Sequence, residues 1–269
     1  MLKRALSLPR KTVFIKNQIV SESPEQAIPP IVYQTAESRW TNRHHWNAMA
    51  EHRKQNPTLS FVFYDAKKRD QYMEQNWSNH LIHSIYRRSV FGQMKADIFR
   101  YCIIYDLGGY YLDVNKGLRA PFQSFHTTNS SGVFAFENND SGYPISDRLA
   151  RRLQHPSKNV VQWAFGFSPA SPILEKTIVI IVENEKWASP GIFPSAKSAI
   201  LSFCGPLAFT TAVHSVFDHD PQIRMAQAGI DFGQSSVYRL PGGSQLNRFR
   251  HYSEITNQPI LMPRSNPHN

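Results

Sequence analysis

Apolar positions along the chain follow two rhythms, and the order in which they alternate predicts an α/β architecture. Ile28-Pro29-Pro30-Ile31-Val32-Tyr33-Gln34 and Leu59-Ser60-Phe61-Val62-Phe63-Tyr64-Asp65 are short runs rich in β-branched and aromatic residues, which read as strands. Between them, Trp40 to Lys54 lacks proline and glycine and predicts a helix that Asn56-Pro57 stops. A strand, a helix and a strand in such close succession form the βαβ pattern of a parallel sheet.

The next block repeats the unit. From Gln93 to Leu107, the residues Met94, Ile98, Tyr101 or Cys102, and Tyr105 recur at three- and four-residue spacing, which makes one apolar helix face. Gly108-Gly109 ends the helix as a left-handed cap would. Tyr110 to Val114 then follows as a strand whose polar tip is Asp113-Val114-Asn115. Further strands are expected over Gly132 to Glu137 and Trp163 to Ser168, and helices over Ile173 to Lys186 and Pro206 to Phe217. A last β-prone run covers Ser236 to Leu240. The economical reading is one α/β domain over residues 28–258, with helices on both faces of a mostly parallel sheet. A basic, weakly structured arm (1–27) precedes it and a loose tail (259–269) follows.

Composition narrows the partners. With 269 residues, 41% of them hydrophobic, the chain can bury a sizeable core, and disorder as the main state is excluded. Two cysteines, Cys102 and Cys204, exclude a disulfide framework and a cysteine-built zinc site. The formal charge is +10, and it is uneven: residues 1–120 hold 18 Lys and Arg against 10 Asp and Glu. That asymmetry suits nucleic acid, an anionic membrane surface or a phosphate-bearing small molecule, and it also suits simple solubility. Arg43-His44-His45-Trp46 and Lys67-Lys68-Arg69 belong to no recognition motif, so no nucleic-acid partner is expected. Met1 to Val20 lacks the apolar core of a signal peptide, and the longest aliphatic run, Ile178 to Val182, is far too short to span a bilayer. A cytoplasmic protein is expected, with peripheral contact to the inner face of the membrane through its five basic residues before position 17.

Ligands of open α/β sheets sit beyond the carboxyl ends of the strands, where Asp113 and Asn115 fall. A carboxylate and an amide carbonyl at i and i+2 present hard oxygen ligands that suit magnesium or manganese. The same triplet also reads as an ordinary turn. On the preceding helix, Asp97 and Arg100 stand one turn apart, where a simple helical ion pair is the alternative.

Ala96-Asp97-Ile98-Phe99-Arg100-Tyr101 followed by Gly108-Gly109-Tyr110-Tyr111-Leu112-Asp113-Val114-Asn115 resembles the sugar-binding region of family 32 glycosyltransferases, which runs Ser/Ala-Asp-x-x-Arg and then Gly-Gly-x-Tyr-x-Asp-x-Asp. Ile28, Pro29, Ile31 and Gln34 match the family's opening. Gln162 to Pro172 and Gly205-Pro206 are similar to its later segments. The resemblance spans roughly residues 28–215 and implies a GT-A type, Rossmann-like fold that takes a UDP- or GDP-linked sugar with Mn2+ or Mg2+. It implies that Asp97, Arg100 and Asp113 carry the chemistry and that Val32, Gln34, Tyr111 and Gln162 join them in holding the donor. The metal would lie at Asp113 and Asn115, with His251 a candidate late ligand.

The implied reaction is retaining transfer to a surface polysaccharide or lipid-linked oligosaccharide, as in bacterial polysaccharide synthesis. Two alternatives stay open: a toxin- or effector-like transferase that glycosylates a protein, and an inactive relative that only binds the sugar nucleotide. Three departures bear on the choice. Asn115 stands where the family has a second Asp, Cys204 replaces Thr before Gly-Pro, and Gln162 replaces Asn.

Overall fold

In the computed structural model, which describes residues 12–21, 25–188, 193–233, 237–239, 255 and 258–264, the predicted runs assemble around one central sheet. The N-terminal third contains β1 (Thr12–Phe14), β2 (Ile31–Thr35), β3 (Trp40–Asn42), α1 (Arg43–Gln55), β4 (Ser60–Tyr64), α2 (Ala66–Trp77) and α3 (Leu81–Arg88). The middle contains α4 (Gly92–Leu107), β5 (Gly109–Leu112), β6 (Lys116–Leu118), β7 (Gly132–Asp140), α5 (Asp147–Arg152), β8 (Lys158–Val160) and β9 (Ala164–Phe167). After these come α6 (Pro172–Glu183), α7 (Ala196–Phe203), α8 (Pro206–His219), β10 (Ala226–Ile230) and β11 (Val237–Arg239).

The sheet has seven strands in the order β10-β7-β9-β5-β2-β4, with β8 attached to β7. Strands β2, β4 and β5 are parallel, and β7 and β10 run the same way. Strand β9 runs against both of its neighbours, β5 and β7. The fold is thus mixed α/β with a mostly parallel sheet flanked by helices. Alternation along each strand sorts the side chains into two layers. Tyr33, Tyr111, Phe134, Phe136, Phe165 and Phe167 face a thick layer that includes residues of α2, α3, α4, α6, α7 and α8. Val32, Tyr110, Leu112, Val133 and Ala135 face a thinner one with Ile28, Leu118 and Phe122. Helix α1 lies on this thinner side, where His52 meets Phe61 and Phe122 edge-on.

Helix α4 is more deeply enclosed than one apolar stripe predicts: every residue from Asp97 to Ile104 is buried. It ends where Gly108 (φ 64°) and Gly109 (φ 103°) turn the chain straight into β5. A side chain on Gly109 would lie 2.6 Å from the carbonyl of Ile31, and one on Gly108 would strike Pro169 and Pro29. Glycine is required there by both backbone angle and space.

Both ends of the chain are better anchored than their composition suggests, as far as they are described. β1 pairs with β3, Ile15 is buried, and Gln18 bridges Phe61, which covers the edge of β4. In the tail expected to be loose, Ile260 and Leu261 are buried. The Met262 amide donates to the carbonyl of Arg88 at 2.8 Å. The stretch Ala196–His219 is long and apolar enough to cross a membrane, but it breaks at Gly205-Pro206, and 61% of its most apolar window is buried within the protein.

Candidate functional site

Helix α4 and strand β5 meet at the glycine turn, so residues one helical turn apart on α4 face the carboxyl end of β5. Arg100 is the hub of what gathers there. Its Nη2 lies 2.7 Å from Oδ1 of Asp97 and 3.3 Å from Oδ1 of Asp113. Its Nη1 donates to the Gln162 carbonyl at 3.0 Å, and its guanidinium stacks 4.4 Å above the Tyr111 ring. The Tyr111 hydroxyl in turn donates to Oδ1 of Asp113 at 2.9 Å. The helical ion pair between Asp97 and Arg100 therefore exists, and it is extended through a third charge from the strand.

Burial sets the protonation of this group. It pushes the Asp97 carboxyl up to about 7, against the pull of Arg100 and reinforced by the like charge of Asp113. For Arg100, burial alone would weaken its hold on the proton, but Asp113, Tyr111 and Asp97 more than reverse that, so it stays a cation. Burial raises the Tyr111 phenol well above its usual range and keeps it a donor toward Asp113. A carboxylate that titrates near neutrality beside a fixed cation is the kind of perturbed pair found at functional sites.

The expected donor residues separate into those the site exposes and those beneath it. The Asp113 side chain keeps 29% of its surface open, and Asn115 is half-buried. Gln34, Asp97, Arg100 and Gln162 are buried. Val32 and Tyr111, expected to touch the donor, have no exposed surface: Val32 packs in the thinner apolar layer, and Tyr111 supports Asp113 and Arg100 from below. His251 lies outside the described residues.

Residues outside the Asp97–Asn115 block also reach this group, among them Gln162, which was expected at the donor, and Cys204, which was noted only as a departure from the family pattern. The Cys204 thiol is 3.9 Å from Oδ2 of Asp97, and the Gln162 amide biases Asp97 toward its ionised form, although its Nε2 makes no hydrogen bond of normal geometry. The Tyr101 hydroxyl is buried without a hydrogen-bond partner. On the other side of the Asp113 loop, the Asp113 amide donates to the Trp163 carbonyl at 2.9 Å, and the Lys116 ammonium sits 4.8 Å above the Trp163 ring. Burial raises the Glu137 and Asp231 carboxyls, which Lys116 partly offsets. The one available signal for these residues was adjacency: Trp163 follows Gln162, and Cys204 precedes Gly205-Pro206.

A divalent cation would find one carboxylate and one amide carbonyl here, Asp113 and Asn115. Among the described residues no cluster of three His, Cys, Asp or Glu side chains could hold a metal without help. That donor set fits magnesium or manganese held jointly with substrate phosphates, which is how such ions are commonly bound.

Residues 34–131 match the glycosyltransferase sugar-binding region containing the DXD motif. The matched segment holds Gln34, Asp97, Arg100, Tyr111, Asp113 and Asn115, and its last motif position is the one where this chain has Asn in place of Asp. Among solved structures, the PaToxG glycosyltransferase is similar with a TM-score of 0.51 at 15% identity, covering 74% of this chain and 72% of that one. A glycosyltransferase involved in the glycosylation of the major capsid of PBCV-1 is similar at a TM-score of 0.33 and 13% identity, covering 73% of this chain and 80% of that one. No curated protein matches the chain in sequence. The likeness to the PaToxG domain is one of fold, and the fold is of the GT-A type.

Proposed function

We propose that this protein transfers a sugar, with retention at the anomeric carbon, from a UDP- or GDP-linked donor to a glycan or lipid-linked oligosaccharide acceptor. The observation that carries the reading is the buried Asp97-Arg100-Asp113 network at the carboxyl end of β5, inside the segment similar to a glycosyltransferase sugar-binding region. Asp97 would accept hydrogen bonds from sugar hydroxyls. Arg100 brings a fixed cation toward the anomeric carbon and the phosphate it leaves. Asp113 and Asn115 would hold Mn2+ or Mg2+ together with the donor's phosphates, and the ion would supply charge to offset the leaving diphosphate.

In the step itself, the bond between the anomeric carbon and the phosphate oxygen breaks, and its electron pair stays on the diphosphate. The acceptor hydroxyl attacks from the same face and passes its proton to that phosphate oxygen. Arg100 stabilises the negative charge as it develops, in a site where little water remains to screen it. Asn115 contributes an oxygen without charge, so the site depends more on the donor's phosphates for its cation than a two-carboxylate site would.

The test is a donor screen with purified protein and manganese, scoring hydrolysis and transfer for UDP- and GDP-sugars. Asp113→Ala is expected to abolish turnover while the fold remains; turnover at the wild-type rate refutes the assignment, and trapping a covalent glycosyl-enzyme refutes same-face attack.

A further inference from the structure

We infer that a cleft at the opposite end of the sheet from Asp113 is a second anion site, built to take a phosphate-bearing ligand. The cleft has a volume of about 840 Å³ and lies where β7 and β10 begin, next to Ser130 and Met225. Because β5, β7 and β10 run the same way, this is the amino end of the strands, whereas Asp113 follows the carboxyl end of β5. The inference does not depend on the proposed reaction.

Its lining contains four arginines, Arg148, Arg151, Arg152 and Arg224, and no acidic residue. Elsewhere Arg39 meets Asp65, Arg69 meets Glu37, Arg88 meets Glu185, and Arg100 meets Asp97 and Asp113, while the buried Arg53 donates to the Lys16 carbonyl and has no ion-pair partner among the described residues. Among the described residues, none of the four in the cleft has a carboxylate partner. Three of them are nonetheless held in place by backbone carbonyls. Arg148 donates to Asp218, Arg224 donates to Pro221 and Ile223, and Arg152 donates to Phe217, Asp220 and Ile223 while lying over the Phe217 ring.

Neutral carbonyls orient a guanidinium without cancelling its charge. Each of these three uses only part of its five-donor fork on the backbone and has N–H groups left over. Four uncompensated forks around one concavity concentrate positive potential, and the planar fork matches the oxygens of a phosphoryl group. Apolar Phe217, Ile223 and Met225 line the same cleft, so the ligand class is a phosphate or diphosphate carried on a less polar body.

That chemistry could be presented by a soluble phosphate ester or by a lipid headgroup, and two binding assays on the full chain separate the sources. One titrates inorganic pyrophosphate calorimetrically; the other measures co-sedimentation with phosphatidylglycerol vesicles against phosphatidylcholine vesicles. Each is run on wild type, on Asp113→Ala and on Arg148→Glu/Arg151→Glu, both of which are exposed positions. The charge-reversed pair is expected to bind at least about tenfold more weakly in one of the two assays, while Asp113→Ala retains that binding. Loss with pyrophosphate assigns a soluble ligand and loss with vesicles a headgroup. Unchanged binding by the pair in both assays, or no wild-type binding in either, overturns the inference. Should the pair fail to fold, Arg151→Glu alone, at a position with no recorded hydrogen bond among the described residues, is expected to weaken binding about threefold, and no change overturns the site.

Discussion

Replacing Arg100 with methionine would remove the cation from the centre of the network and leave a shape of similar length. Both carboxylates it faces are close, at 2.7 Å and 3.3 Å, and the arginine side chain is only 6% exposed. Each contact has a gross Coulomb energy of about 5 kcal/mol at an effective dielectric of about 20. Much of that is offset by the cost of burying the arginine itself, and the contact with the partly open Asp113 is further weakened by solvent. Breaking one member of a buried charge network typically costs about 3–5 kcal/mol, because the stranded charge has nowhere to go.

The loss has a pH signature. In the wild type the Asp97 carboxyl is held up at about 7, above its ordinary 3.8, so the folded state favours the neutral acid. Its contribution to stability is fully present below about 4 and is lost as pH rises through about 7. Without Arg100 the carboxylate loses its counter-charge and that penalty deepens. Urea unfolding should therefore show Arg100→Met destabilised by about 4 kcal/mol at pH 8 and by about half of that at pH 5, where Asp97 takes up a proton. An equal loss at both pH values, or a loss under about 1 kcal/mol, would show that Asp97 and Arg100 do not share a buried charge balance.

Other perturbations probe single links. Tyr111→Phe removes one hydrogen bond to Asp113 from a residue with no exposed surface, so turnover should fall about tenfold with the melting temperature nearly unchanged. An unfolded variant or an unaffected rate would contradict that. Asn115→Asp adds a charge to the proposed cation site, and activity titrated with Mn2+ should reach half-maximum at about tenfold lower metal. Gly109→Ala places a Cβ 2.6 Å from the Ile31 carbonyl at a φ of 103°, and thermal denaturation should register a loss of at least about 1–3 kcal/mol.

The strands were readable because they are short runs dense in aromatic and aliphatic residues, fully buried in Tyr110 to Leu112 and, at the sheet edge, buried at Phe61 and Phe63 with Val62 and Tyr64 half-buried. Helix α4 was visible from its spacing, although its full enclosure was not, since Asp97 and Arg100 look polar and only tertiary contacts bury them. Helix α2 went unread because its apolar positions are few and interrupted by charge: it buries only Arg69, Met73 and Trp77. Helix α3 is only eight residues long, although it buries Ile82, Ile85 and Tyr86. The reversal of β9 had no local signal either, as strand direction is decided by connections and not by composition. For the same reason the contact of Cys204 with Asp97 was illegible, since Cys204 comes from a distant segment in the turn ahead of α8, whereas Gln162 was expected beside Asp97 only through the family resemblance. Val32 and Tyr111 were placed correctly on strands, but their side chains point into the core layers.

The enclosure of α4 also bears on where disorder is lost. Arg100 carries one of the most flexible side chains, and a surface arginine that clamps a phosphate must surrender that freedom at each binding event, at a cost of about 0.5–1.5 kcal/mol. Here the guanidinium is already fixed by Asp97, Asp113, the Gln162 carbonyl and the Tyr111 ring. Its rotamers are therefore frozen once, when the chain folds, and the donor of the proposed reaction would meet a group that has no configurational freedom left to lose.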